Sequence, residues 1–333
     1  MPKFLIDLKV LKRGNVLAAG VVTGLITAVA LNFPPKAAAP NHGFIKLKKE
    51  PASVFKENGI QDDQTAAIST PKVLSQDKTT VTNARQVLIW EQDFTAVADR
   101  QPTKTDWNIA NSSLPIYNNE RQVYSDQLEN VRIENKVLVL EARRQGNTYT
   151  SGRIDTLNRK EVEINSRLEA RMKLPKGKGT WPAFWLLSAN QPHTAKLKPS
   201  EPDWQQPRFY LRDGEIDIME AYGRYPGTIE ATAHAFAATK EGTYKLPNAS
   251  EAFHTYWLEW KIDKLIFGVD NQAYFTHQKT SNSLEEWPFT ADNKYYLILN
   301  LAMGGSGSGD IVQATGDYWR FEIASIKYYK LPD

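Results

Sequence analysis

The sequence predicts an all-β fold, a sandwich or jelly roll over residues 87–333. Three observations predict it. First, apolar and polar residues alternate in short runs, as in Lys136-Val137-Leu138-Val139-Leu140-Glu141-Ala142 and Arg167-Leu168-Glu169-Ala170-Arg171-Met172. Alternation with period two marks a half-buried strand. Second, no long stretch beyond the N-terminal segment keeps a 3.6-residue period. Third, turn-forming residues separate the runs, and Val269-Asp270-Asn271-Gln272-Ala273 reads as a hairpin. A domain of about 245 residues is ordinary for one all-β unit.

The elements follow in chain order. Lys3, Lys9, Lys12 and Arg13 precede a 16-residue apolar run from Val16 to Leu31, with a small-residue cleavage site at Ala28-Val29-Ala30. Residues 1–33 therefore read as a signal peptide or an uncleaved signal anchor. Either one places the remainder outside the cytoplasm: secreted, periplasmic, or membrane-anchored through this segment alone. Residues 34–86 are rich in Pro, Lys, Ala, Gln, Ser and Thr without a sustained period, the pattern of a disordered linker. All 9 tryptophans and all 14 tyrosines lie beyond residue 89, so the folded domain is expected from residue 87. Strands are expected over 87–91, 137–143, 162–173, 182–187, 215–221, 232–237, 255–262, 265–269, 295–301 and 319–330.

Charge and composition exclude several functions. The chain has no cysteine, which removes disulfides, thiolate metal sites and cysteine nucleophiles. Residues 1–30 carry four basic residues and one acid, a net +3; the whole chain is also +3, so the rest is neutral. Nucleic acid is therefore not an expected partner. No His/Asp/Glu spacing suggests catalytic zinc.

Gly214-Glu215-Ile216-Asp217-Ile218-Met219-Glu220 is the most informative stretch. Glu215 and Asp217 share a strand face, whereas Glu220 lies at an odd offset from Glu215 and would point away. A β-bulge at Ile218–Met219 would return it to the acidic face. Like charges this close cannot all ionise, so at least one pKa must rise. One carboxylate can then serve as nucleophile and another as general acid, the pair that glycoside hydrolysis needs. In isolation the same pattern also fits a solvated strand face.

Seven stretches in order resemble family 16 glycoside hydrolases, in the bulged form of bacterial laminarinases. Besides Glu215–Glu220 they are Tyr117-Asn118-Asn119-Glu120-Arg121-Gln122-Val123-Tyr124, Tyr149-Thr150-Ser151-Gly152-Arg153-Ile154 and Arg167 through Pro175. The others are Gly179-Thr180-Trp181-Pro182-Ala183-Phe184-Trp185-Leu186-Leu187, Phe253 through Trp260 and Leu297 through Gly305. The resemblance covers roughly residues 88–330 and implies a β-jelly-roll of two curved antiparallel sheets with a concave substrate cleft. It further implies a retaining, endo-acting hydrolase of β-1,3- or mixed β-1,3/1,4-glucan, acting as a monomer. By position Glu215 matches the nucleophile, Asp217 the assisting acid and Glu220 the acid/base. Trp181 and Trp185 match sugar platforms, and Asn118, Arg153 and His234 match positions near the sugar or the carboxylates. Outside that resemblance, Asn118 also suits a turn, Arg153 a surface ion pair, and His234 a structural hydrogen bond. His254 reads as a loop-orienting residue.

Three stretches depart from the family pattern. Ala324 stands where the family often has a calcium-ligating Asp, so no metal or other cofactor is expected. Ser306-Gly307-Ser308-Gly309-Asp310 replaces a longer cleft-side loop, and residues 188–213 form a polar insertion with Trp204 and Tyr210 as cleft-edge aromatics. The alternatives are a transglycosylase, a hydrolase of another exported polysaccharide, an inactive carbohydrate-binding jelly roll, and a tethered envelope protein.

Overall fold

The computed structural model describes residues 86–97, 99–111, 118–194, 209–310 and 316–332. The expected export segment, the linker up to residue 85, Tyr117 and Trp204 lie outside them. In chain order the strands begin with β1 (Val87–Asp93), β2 (Asn108–Ile109), β3 (Gln122–Tyr124), β4 (Val131–Glu134), β5 (Val137–Gln145) and β6 (Thr148–Ser151). Next come β7 (Arg153–Asp155), β8 (Glu161–Val162), β9 (Ser166–Lys173), β10 (Thr180–Ser188), β11 (Glu215–Glu220) and β12 (Thr228–His234). The last are β13 (Thr239–Lys245), β14 (His254–Trp260), β15 (Lys264–Val269), β16 (Gln272–Gln278), β17 (Tyr295–Met303) and β18 (Tyr318–Lys330). Among the described residues between β17 and β18 there is a short helix, α1 (Gly305–Ser308).

The strands form two sheets, the jelly-roll sandwich that the sequence predicts. One runs β16-β15-β14-β9-β18-β5-β6-β3, with β1 on β18 and β4 on β5. The other runs β13-β12-β11-β10-β17-β7-β2, with β8 on β17. Pairing is antiparallel except between β3 and β6. The 13-residue β18 meets β5 through 318–323, β9 through 322–330 and β1 through 325–330.

Alternation explains the packing. On β10 and β11, Phe184, Leu186, Ile216, Ile218 and Met219 point into a continuous apolar core shared with Leu258, Trp260 and Phe267 of the other sheet. Trp260 and Tyr295 bridge the sheets edge to face at 5.1 Å. Each fully buried large side chain contributes about 1.5–3 kcal/mol of transfer free energy. The edge strands β13 and β16 come together where Tyr244 meets Tyr274 at 5.4 Å. There Gly242 lies flat on Phe275, since an added Cβ would sit 2.5 Å from the ring.

The expected strands are present, the short strands β2, β3, β4, β6 and β7 add to them, and two further differences are instructive. The 162–173 run divides into β8 and β9 because Asn165 adopts a left-handed φ of 56°. β13 and β16 were not expected as strands: they are edge strands with polar, largely exposed side chains, so they lack the apolar alternation of a buried face. The predicted hairpin forms as a two-residue turn at Asp270-Asn271, with Val269 paired to Gln272.

Candidate active site

The acidic strand β11 lies between β10 and β12. Against β12, Asp217 pairs with Thr232 and Glu220 with Glu230, so Ile218 and Met219 together oppose Ala231. Against β10 the register also shifts, between Phe184–Met219 and Trp185–Asp217. This is the predicted bulge. Ile218 and Met219 are both wholly buried in the core. Glu220 consequently faces the cleft with Glu215 and Asp217.

The start of the strand is fixed by its neighbours. Asp213 is buried and accepts from the backbone N–H groups of His193 (2.7 Å) and Thr194 (3.0 Å). Its carbonyl accepts from Tyr295 Oη at 2.5 Å and Asn293 Nδ2 at 2.7 Å. Gly214 has a φ of 75°, and a Cβ there would lie 2.6 Å from Tyr295 Oη. Only glycine meets both conditions without strain.

The three carboxyls are held by different partners. Trp181 Nε1 donates to Glu220 Oε1 at 2.7 Å, and Tyr222 Oη lies 3.1 Å from Glu220 Oε2. His234 Nε2 lies 3.0 Å from Asp217 Oδ2 and 3.9 Å from Glu215 Oε1. Tyr210 hydrogen-bonds to Glu215. Burial is the first cause raising all three pKa values, to about 8 each. Asp217 adds repulsion at Glu215 and Glu220, and Glu230 adds it at Asp217. The cluster therefore retains protons near neutrality, which lets one carboxyl donate while another is charged. Glu215, Asp217 and His234 each offer one ligand atom within 4.8 Å of the others.

The remaining expected residues divide into two groups. Trp181 and Trp185 share the cleft face of β10, as their even spacing predicts. Trp185 Nε1 donates to Asn300 Oδ1 at 2.7 Å, Asn300 Nδ2 donates to Tyr124 Oη at 3.1 Å, and Arg153 lies 5.2 Å from the Trp185 ring centre. Asn118 holds a left-handed turn, with φ 56°, and its carbonyl accepts from Ser306 N at 2.7 Å. Its side chain hydrogen-bonds to Glu120, whose pKa burial raises. Away from this group, His254 pairs with Asp270 at 2.7 Å, the loop role expected for it. In the turn after β11, Arg224 stacks on the exposed Tyr225 at 4.8 Å.

Sequence reasoning missed Glu120, Tyr124, Tyr222, Glu230 and Asn300. Glu120, Tyr124 and Asn300 stood inside recognised stretches without being singled out. Glu230 was lost because the expected strand began at residue 232; carried back by two, the alternation of Thr232 and His234 puts Glu230 on the cleft face. Of the 306–310 stretch, residues 306–308 lie in α1, which packs over Trp181 and Tyr222. Ser308 Oγ donates to the Thr180 carbonyl at 2.5 Å, and a Cβ on Gly307 would lie 2.6 Å from Trp181 and 2.8 Å from Tyr222.

Residues 116–320 match the family model described as glycosyl hydrolases family 16. A β-glucanase of Rhodothermus marinus is 32% identical over 237 residues, covering 67% of this chain and 77% of the relative. A glucan endo-1,3-β-glucosidase of Cryptopygus antarcticus is 31% identical over 271 residues, covering 73% of this chain and 91% of the relative. Among solved structures, the Rhodothermus marinus laminarinase superposes with a TM-score of 0.65 at 28% identity, covering 75% of this chain and 99% of its own. The Thermotoga maritima laminarinase catalytic domain gives a TM-score of 0.61 at 33% identity, with 74% and 99% covered. The matched span, the shared fold and the bulged acidic strand agree: the chain belongs to family 16 of the glycosyl hydrolases.

Proposed function

We propose that this chain is a retaining, endo-acting glucanase that hydrolyses β-1,3- or mixed β-1,3/1,4-glucan by double displacement. The observation that carries the reading is the bulge at Ile218–Met219, which gives Glu215, Asp217 and Glu220 one common face. In the first step a Glu215 carboxylate oxygen bonds to the anomeric carbon while Glu220 protonates the departing glycosidic oxygen. In the second, Glu220 takes a proton from water, whose oxygen bonds to the anomeric carbon and releases Glu215. Asp217, neutral and hydrogen-bonded near His234, removes one charge from beside the nucleophile. Trp185, with Arg153 over one face of its ring and Asn300 on its indole N–H, supplies an aromatic surface with polar neighbours, suited to a pyranose ring.

Reducing ends released from laminarin, lichenan and a β-1,4-glucan test the substrate class, and proton NMR of the first-formed anomer tests retention. An initial α-anomer from a β-glucan would exclude double displacement. Glu215→Gln is expected to lower turnover by several orders of magnitude with binding preserved; a near-normal rate would exclude Glu215 as nucleophile. We further propose that residues 1–33 direct export, which cell fractionation and N-terminal sequencing of the product test.

A further inference from the structure

Tyr222, in the turn after β11, and Glu230, on β12, take part in no step above. Tyr222 Oη lies 3.1 Å from Glu220 Oε2 and 3.2 Å from Glu230 Oε1, and Glu220 and Glu230 are direct partners across the two strands. A phenol has one hydrogen and can give it to one carboxylate only. Both contacts are hydrogen bonds at once only if the other carboxyl is protonated and donates to the phenol oxygen. Trp181 already donates to Glu220 Oε1, so Oε2, which faces Tyr222, is the oxygen free to hold the acid proton.

We propose that Tyr222 and Glu230 are positioning residues that keep the acid proton on Glu220 in the free enzyme: Glu220 donates to Tyr222, and Tyr222 donates to an ionised Glu230. The proposal rests on the reading of Glu220 as acid/base. The alternative arrangement moves each of the two protons one place, leaving Glu220 ionised and Glu230 neutral, with no change in total charge.

The surroundings favour the first arrangement. The groups facing Glu230 are Glu220 and Asp217 of β11, Tyr222 and Arg224 of the following turn, His234 of its own strand, Glu241 of β13 and Tyr274 of β16. At Glu230 burial, with Glu241, also raises the pKa, but Tyr222, His234 and Arg224 lower it. At Glu220 burial is the largest cause opposing ionisation, and a charge on Glu230 adds to it, against the hydrogen bonds from Trp181 and Tyr222. The negative charge therefore resides on Glu230 and the proton on Glu220.

The test is the pH profile of kcat/KM on laminarin, whose limbs report the free enzyme. In Glu230→Gln the alkaline limb is expected to move down by about one pH unit, while the acid limb stays in place. Tyr222→Phe, which keeps the ring against Trp181, should move it the same way, and the double variant by less than the sum of the two. An unmoved limb in either single variant, or additive shifts, overturns the proposal. A structural role alone would lower rates at every pH and leave the limbs in place. Glu220→Gln on a dinitrophenyl glycoside, whose departure needs no acid, separates the two readings. If that variant also fails to release dinitrophenol, the acid/base reading falls, whatever Glu230→Gln does.

Discussion

The indole N–H of Trp181 is bound to Glu220 Oε1 at 2.7 Å, diagonally across β10 and β11, where Ala183 is the direct partner of Glu220. A residue expected from the sequence as a sugar platform thus also fixes the rotamer of the proposed acid/base. Its hydrogen bond favours the ionised carboxylate and partly offsets burial.

Trp181→Phe keeps an aromatic face but loses this donor. A hydrogen bond to a charged group contributes about 1.5–3 kcal/mol, so kcat/KM should fall roughly 10- to 100-fold. Because the lost bond lowered the Glu220 pKa, the alkaline limb should move upward, opposite to Glu230→Gln. A pH profile of the variant checks both the size and the sign.

The carboxyl cluster should cost stability as pH rises. Glu215 and Glu220 start from 4.5 unfolded and reach about 8 folded, so between these values the folded state binds more protons than the unfolded one. Stability then falls with rising pH through that window. Glu220→Gln should accordingly be more stable than wild type, on the order of 1–2 kcal/mol at pH 8, with the difference vanishing below pH ~4.5. Thermal melts of both proteins across pH 4–9 measure this; a constant difference would contradict it.

Gly214→Ala should strain the entry to β11. The positive φ and the 2.6 Å approach to Tyr295 Oη leave no room for a methyl group. The expected loss is ~1–3 kcal/mol, about 2–4 °C in Tm for each kcal/mol. Turnover should fall as well, because Glu215 is the next residue.

Gly307→Ala tests the packing of α1. The added methyl meets Trp181 at 2.6 Å and Tyr222 at 2.8 Å, both partners of Glu220. The expected result is a larger fall in kcat than in Tm, read from steady-state kinetics beside a melt. An unchanged kcat would show that this packing tolerates displacement.

The sequence showed the sandwich and the acidic face because both follow from alternation. Glu215, Asp217 and an odd-spaced Glu220 were enough to locate the bulge at Ile218–Met219 before any coordinates. The contacts between distant segments were not legible. Nothing in the spacing links Asn118 to Ser306, or Trp185 through Asn300 to Tyr124, because each joins segments paired only by the final topology. The double role of Trp181 was hidden for the same reason: a strand pattern gives the face of a side chain, not the group its polar tip will reach.

β18 follows every other strand of the domain in chain order, yet it completes the hydrogen bonding of β1, β5 and β9. Among the described residues, β18 is the one strand paired with β1. Closure of this sheet on β1 therefore waits for β18. The pairing with β1 joins residues more than 200 positions apart, as between Val87 and Lys330, and contacts of that span slow folding and leave edges open meanwhile. Synthesis and folding are thereby separated in time, with the sheet closing only after nearly the whole domain exists as chain.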